Sequence, residues 1–268
     1  LNRNRQRPTV FHYHRIRAMK PRIAIPVPTS TDISYNQRSW PAYADAVTRS
    51  GGEPVQIDIS LPAAQIKQLA ATCQGVVLPG SPADVDPVRY GAERDPATSP
   101  ADPAREATDT LLLEDAAAHT KPVLGICFGV QSLNVWRGGS LVQDLSPLPV
   151  NHSAGKNVAV AHAALVAGNS LLGSLLEPSE APEADGYRRL PMNTSHHQSV
   201  SIPGEGLRVV ARCPDDGVVE AVENDPAFSS QFLIGVQWHP ERSYDISAAS
   251  RALFQRLVVE AEKSVPSK

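Results

Sequence analysis

An α/β fold, with an open, mostly parallel sheet flanked by helices and a small antiparallel β addition, is predicted by this 268-residue sequence on three observations. Short apolar runs alternate with helix-compatible stretches over residues 22–126. Parallel strands produce that alternation, because each helical crossover covers a sheet that is buried on both faces. Beyond Gly138-Gly139 the alternation gives way to short strand-like runs, which point to antiparallel or irregular β structure. Residues 245–263 then return to helical spacing through Ala248, Leu253, Leu257 and Val258, a closing helix.

Taken in order, residues 22–27 read as a buried strand and 40–49 as a helix halted at Gly51-Gly52, where glycine caps the helix in a left-handed conformation without a Cβ clash. Residues 54–59 form the second strand, 62–71 a helix, 75–78 the third strand, 103–119 a long helix and 122–126 the fourth strand. The later strand-like runs are 157–160, 207–211, 218–222 and 232–237. Two connections, 79–102 and 169–191, are long enough to act as walls or lids of a site. In such sheets ligands bind at the carboxyl ends of the strands, where Pro79-Gly80-Ser81-Pro82 and Cys127 both fall.

Charge and cysteine usage exclude several classes. The formal net charge is −3, but residues 1–20 carry six Arg and Lys and no acid, which leaves −9 over residues 21–268. An acidic body without a basic stripe does not suit nucleic acid. Residues 1–20 are expected to be a disordered basic leader, 21–263 a single domain and 264–268 a tail. No apolar stretch approaches the roughly 20 residues of a membrane span, and the leader lacks the apolar middle of a secretory signal. Cys73, Cys127 and Cys213 are odd in number, far apart and without a CxxC pair, which argues against a disulfide framework and a structural zinc and fits a reducing cytoplasm.

Cys127 sits in Gly125-Ile126-Cys127-Phe128-Gly129-Val130-Gln131, between the fourth strand and a helix-compatible stretch. A free cysteine is often core. Small residues two positions either side, however, permit the sharp strand-to-helix turn that lifts a reactive side chain above the sheet edge. There the helix dipole favours the thiolate, the form that attacks a carbonyl carbon. A cysteine nucleophile needs a base, and the base an orienting group. Gln237-Trp238-His239-Pro240-Glu241 offers both, because side chains at i and i+2 of an extended segment share a face and Pro240 keeps His239 out of the helical region. His196 and His197 invite a metal, the more so with His12, His14, His152 and His162 elsewhere, but adjacent residues of a strand point to opposite faces and do not easily serve one ion; no metal and no cofactor are expected.

These residues together resemble the class I glutamine amidotransferases. Gly-Ile-Cys-Phe-Gly-Val-Gln followed by Gly-Val-Gln-Trp-His-Pro-Glu is similar to the nucleophile elbow and His-Pro-Glu of that family, and the resemblance spans roughly residues 22–257. Pro79-Gly80-Ser81-Pro82-Ala83-Asp84-Val85, Gly138-Gly139-Ser140-Leu141 and Asn193-Thr194-Ser195-His196-His197-Gln198 resemble its gamma-glutamyl-gamma-aminobutyrate hydrolase branch. Phe128 stands where that branch commonly carries arginine, which leaves the amine half of the substrate open.

The resemblance implies a flavodoxin-like fold and acyl transfer on a small-molecule γ-glutamyl amide through a γ-glutamyl thioester. Cys127 would be nucleophile, His239 general base and acid, and Glu241 the orienting carboxylate. Backbone N–H groups of Phe128 and the Gly80-Ser81 turn would meet the oxyanion; Asn193, Ser195 and His196 would line the pocket. Gln131 either helps bind the glutamyl group or is a solvated helix residue. Polyamine or amino-acid nitrogen catabolism is the expected setting, and a homodimer a family-level expectation. Two alternatives stay open: a glutaminase subunit that hands ammonia to a synthase partner, and a catalytically silent ligand-binding module.

Overall fold

The computed structural model describes residues 19–264, so most of the expected basic leader and of the tail lies outside the described residues. The first half contains β1 (Arg22–Pro26), α1 (Ile33–Arg49), β2 (Glu53–Ile57), α2 (Ala63–Ala71), β3 (Gly75–Leu78), α3 (Pro103–Ala118), β4 (Val123–Ile126) and α4 (Phe128–Trp136). The second contains β5 (Leu141–Val142), β6 (His162–Ala167), α5 (Leu171–Ser174), β7 (Glu183–Ala184), β8 (Tyr187–Met192), β9 (Ser199–Val200), β10 (Leu207–Arg212), β11 (Val219–Asn224), β12 (Leu233–Val236) and α6 (Ala248–Glu262).

One 10-stranded sheet runs in the order β2-β1-β3-β4-β12-β11-β10-β6-β8-β7. From β2 to β12 neighbouring strands are parallel, and from β12 onward each pair is antiparallel. The antiparallel part is thus an extension of the main sheet, while β5 and β9 pair apart from it. Alternation along each strand sorts side chains to two cores. Ile23 and Ile25 of β1 join Tyr43 and Val47 of α1 and Leu253, Phe254 and Leu257 of α6. Ala24 points the other way, into a cluster with Ile66, Leu112, Leu113 and Leu133 from α2, α3 and α4. Each large apolar side chain among them, fully buried, contributes about 1.5–3 kcal/mol.

Helix α1 begins seven residues before its predicted start. Asp32 caps it by accepting from the Tyr35 N–H, and the helix passes through Pro41, which lies with Gln37 on the exposed face, so the carbonyl left without its donor meets water. Trp40 then donates its indole N–H to the Ile25 carbonyl at 3.2 Å. The expected strand at 157–160 is irregular, and the strand of that region is β6, a few residues later. The connection 169–191, expected to lack structure, holds α5, β7 and β8, with β8 in register against β6 from His162↔Met192 to Ala167↔Tyr187. The connection 79–102 carries a 3-10 turn at Pro87–Tyr90 and is otherwise irregular. Among the described residues no helix is long and apolar enough to cross a membrane. Because β3, β4 and β12 are adjacent and parallel, their carboxyl ends deliver Gly80, Cys127 and His239 to the same sheet edge.

Candidate active site

Cys127 is the turning residue between β4 and α4, with φ 53° and ψ −108°. A non-glycine residue holds so sparsely populated a conformation only where its surroundings over-determine it. Here the Cys127 N–H donates to the Val236 carbonyl of β12 at 2.8 Å, and its carbonyl accepts from Val130 and Gln131, the first bonds of α4. The flanking glycines serve by their lack of a side chain. A Cβ on Gly129 would lie 2.1 Å from the Leu78 carbonyl oxygen, so only glycine lets α4 rest this close to β3.

His239 follows β12, and its Nδ1 lies 2.8 Å from Glu241 Oε1, with both side chains almost wholly buried. The carboxylate accepts, so Nδ1 carries a proton and Nε2 is left to face the sulfur of Cys127. Burial disfavours the imidazolium, but the Glu241 carboxylate and then Cys127 outweigh it and raise His239 to about 9. Glu241 is pushed up by burial and drawn down further by His239 and Arg242, for a net lowering. Asn193 holds the histidine's backbone at both ends, its amide donating to the His239 carbonyl at 2.9 Å and its Oδ1 accepting from the His239 N–H at 3.0 Å.

The turn after β3 completes the edge. A Cβ on Gly80 would stand 2.9 Å from His239 Cε1 and 3.5 Å from Cys127 Cβ, so the missing side chain is what admits the imidazole. The Gly80 N–H donates to the Tyr43 hydroxyl at 3.1 Å, which differs from the oxyanion role expected of it: Tyr43, fully buried on α1, reaches beneath the turn and takes that donor. Arg105 of α3, unremarked in the sequence, is wholly buried. Its guanidinium donates to the Pro79 carbonyl at 2.5 Å, the Pro28 carbonyl at 2.8 Å and Asp109 at 2.7 Å, and its charge lies 4.8 Å from the centre of the Phe128 ring. The Phe128 side chain is therefore packed inward on Arg105, and only its backbone N–H, the first of α4, is free to face the site.

Two further expectations change. Asn193 and His196 were expected to line the substrate pocket; both side chains are buried, Asn193 in its hold on His239 and His196 with its ring toward Glu220 and 4.9 Å from that of His152. His197 diverges from it toward Asp84 at 3.0 Å. Gln131 is buried as well, not solvated, and donates to the Gln198 carbonyl at 3.1 Å, which ties α4 to the 193–198 segment. Ser195 is half-buried.

Comparison with known proteins places this arrangement. The family profile of peptidase C26 matches residues 26–241. The chain belongs to the peptidase C26 family. It is 33% identical over 235 residues to a gamma-glutamyl-gamma-aminobutyrate hydrolase of Escherichia coli O157:H7, covering 84% of this chain and 87% of that one. The counterpart in Escherichia coli K12 is 32% identical with the same coverage. A solved structure from Thermoplasma acidophilum, provisionally assigned as a component of GMP synthase, superposes with a TM-score of 0.57 at 12% identity over 91% of this chain and 96% of that one, which speaks for the fold. As a C26 member the chain is a glutamine amidotransferase-like hydrolase acting on amide bonds.

Beside the C26 elbow lies a cleft of about 360 Å³ lined in part by Tyr35, Arg38, Lys156, Glu241 and Arg242. Burial raises the Tyr35 hydroxyl pKa against an opposing Ser39 hydrogen bond, Cys127 and Glu241 raise it further, and Glu241 itself lines the cleft. Arg38, Lys156 and Arg242 set three cations around the cleft of an otherwise acidic chain. No motif in the sequence marks them, because they come from α1, the 143–161 connection and the turn after β12.

Proposed function

We propose that the chain hydrolyses γ-glutamyl amides of amines that carry a carboxylate, γ-glutamyl-γ-aminobutyrate being the type. The observation that carries the reading is the strained Cys127 at the sheet edge beside a His239 bonded to Glu241. The Cys127 thiolate attacks the γ-carbonyl carbon, and the Phe128 and Ser81 N–H groups hold the oxyanion; each such donor typically contributes about 10²- to 10³-fold. Protonated His239 gives its Nε2 proton to the departing amine as the C–N bond breaks, which leaves a γ-glutamyl thioester on Cys127. Neutral His239 then takes a proton from water, whose oxygen attacks the thioester carbonyl. Glutamate leaves, and the thiolate and imidazolium are restored.

Two observations support the choice of amine. The cationic cleft beside Glu241 suits an anionic leaving group, and the relatives at 32–33% identity are named for that substrate. The test is purified chain alone against glutamine, γ-glutamyl-γ-aminobutyrate and a γ-glutamyl diamine, whose amine half is cationic. The carboxylate-bearing amide is expected to show a kcat/KM about tenfold or more above both, and Cys127→Ala to show none. Preference for the diamine would reject the substrate class, and turnover that waits on an added synthase would reject a stand-alone hydrolase.

A further inference from the structure

Four side chains from separate segments converge on one buried point. They are His152 from the 143–161 connection, His162 at the start of β6, His196 from the 193–198 segment and Glu220 of β11, with side chains at most 4% exposed. His152 Nδ1 and His162 Nε2 each lie 3.3 Å from Glu220 Oε1, and His196 Nε2 lies 3.8 Å from Oε2. Among the described residues none of these five atoms has a hydrogen-bond partner.

The opposite nitrogen of each ring is engaged by an acceptor: His152 Nε2 by Asp216 at 2.9 Å, His196 Nδ1 by the Gln198 carbonyl at 2.9 Å and His162 Nδ1 by the Ala163 carbonyl at 3.3 Å. Those nitrogens carry the N–H, so the neutral rings turn lone pairs toward the Glu220 carboxylate; burial opposes the charged form of His152 but Glu220 and Asp216 favour it, so His152 can offer one donor there, while His162 and His196 offer none. With at most one donor for five buried polar atoms, most of their desolvation cost is left uncompensated. A cation removes that cost.

We propose that His152, His196 and Glu220, whose donor atoms lie within 4.8 Å of one another, form a zinc(II) site, with His162 beside it at Glu220 Oε1. Tetrahedral zinc with bonds of about 2.0–2.1 Å holds its donor atoms about 3.3 Å apart, the spacing found between His152 and Glu220. A histidine ligand that gives its other N–H to a carboxylate or a carbonyl is the usual outer shell of such a site. Imidazole donors select a transition ion over magnesium or calcium, which take oxygen. A second donor set, His152 with Cys213 and Asp216, is already satisfied by the His152 Nε2 to Asp216 bond. With His162 packed beside its three protein ligands the site is enclosed and structural: it pins the connection bearing His152, and the segment that carries Asn193 and His196, to β11. Nothing in it depends on amide hydrolysis.

The test uses the full chain without a histidine tag, carrying Cys127→Ala so that no reactive thiol competes for metal. After dialysis, elemental analysis is expected to find about one zinc per chain, and near background in Glu220→Gln. Returning zinc to chelator-stripped protein is expected to raise Tm by roughly 5–10 °C. Should Glu220→Gln fail to fold, cobalt(II) in the Cys127→Ala chain is expected to give visible d–d absorption without a thiolate-to-cobalt band. Metal-free protein whose Tm does not respond to zinc, or a thiolate band that assigns the ion to Cys213, overturns the proposal.

Discussion

Cys127 holds a backbone conformation that costs a non-glycine residue of order 1–3 kcal/mol, and the structure supplies that energy through its bond to β12 and the start of α4. The return is a sulfur held beside an imidazole that Glu241 keeps protonated. His239 is raised from 6.5 to about 9, so its charged form contributes stability fully below pH 6.5 and loses that contribution as pH rises through about 9. The same proton is the one delivered to the leaving amine. The kcat/KM profile of the wild-type chain is therefore expected to fall on an alkaline limb with an apparent pKa near 9, and Glu241→Gln to move that limb to lower pH. A profile flat through pH 9, or a limb that Glu241→Gln leaves in place, would contradict the assignment of that proton to the dyad.

Three parallel strands and one helix outside the motif build the edge. Arg105 reaches from α3 to the turn after β3 and to Phe128 at the head of α4, so a single buried guanidinium sets two pieces of the site. Removing it strands Asp109, which is wholly buried. Arg105→Met is expected to lose about 3–5 kcal/mol of stability in chemical denaturation, as broken buried pairs do. Arg105→Met with Asp109→Leu removes the stranded charge and is expected to regain most of that stability, while kcat stays lowered by about 10²-fold because the Pro79-Gly80 turn has lost its anchor. Equal recovery of kcat would reduce Arg105 to a stabilising role. At the position after the nucleophile, a guanidinium stands against Phe128 from another helix.

At the scale of the whole molecule, the parallel half was legible because its central strands are buried on both faces and read as continuous apolar runs, as Gly75–Leu78 and Val123–Ile126 do. The antiparallel half was less so. β8 contains Arg188, Arg189 and Pro191, which break the apolar signal, and the proline is tolerated because β7 pairs with β8 only near Tyr187 and Arg188, leaving that side open. Cys127, His239 and Glu241 could be picked out because each sits in a short local motif. Arg105 and the meeting of three histidines at Glu220 could not, since the partners lie far apart in the chain and come together only through sheet order. The expectation of no metal named His152 and His162 beside His196 and His197 but turned on the adjacency of the last two; the structure turns the His196 ring away from His197, toward Glu220 and His152. The central claim concerns one covalent bond, and trapping it is the most direct test. Wild-type chain mixed with γ-glutamyl-γ-aminobutyrate and quenched in acid during turnover is expected to carry a γ-glutamyl group on the peptide containing Cys127 by mass spectrometry, with none in Cys127→Ala. Steady turnover with no such adduct, undiminished in Cys127→Ala, would contradict it.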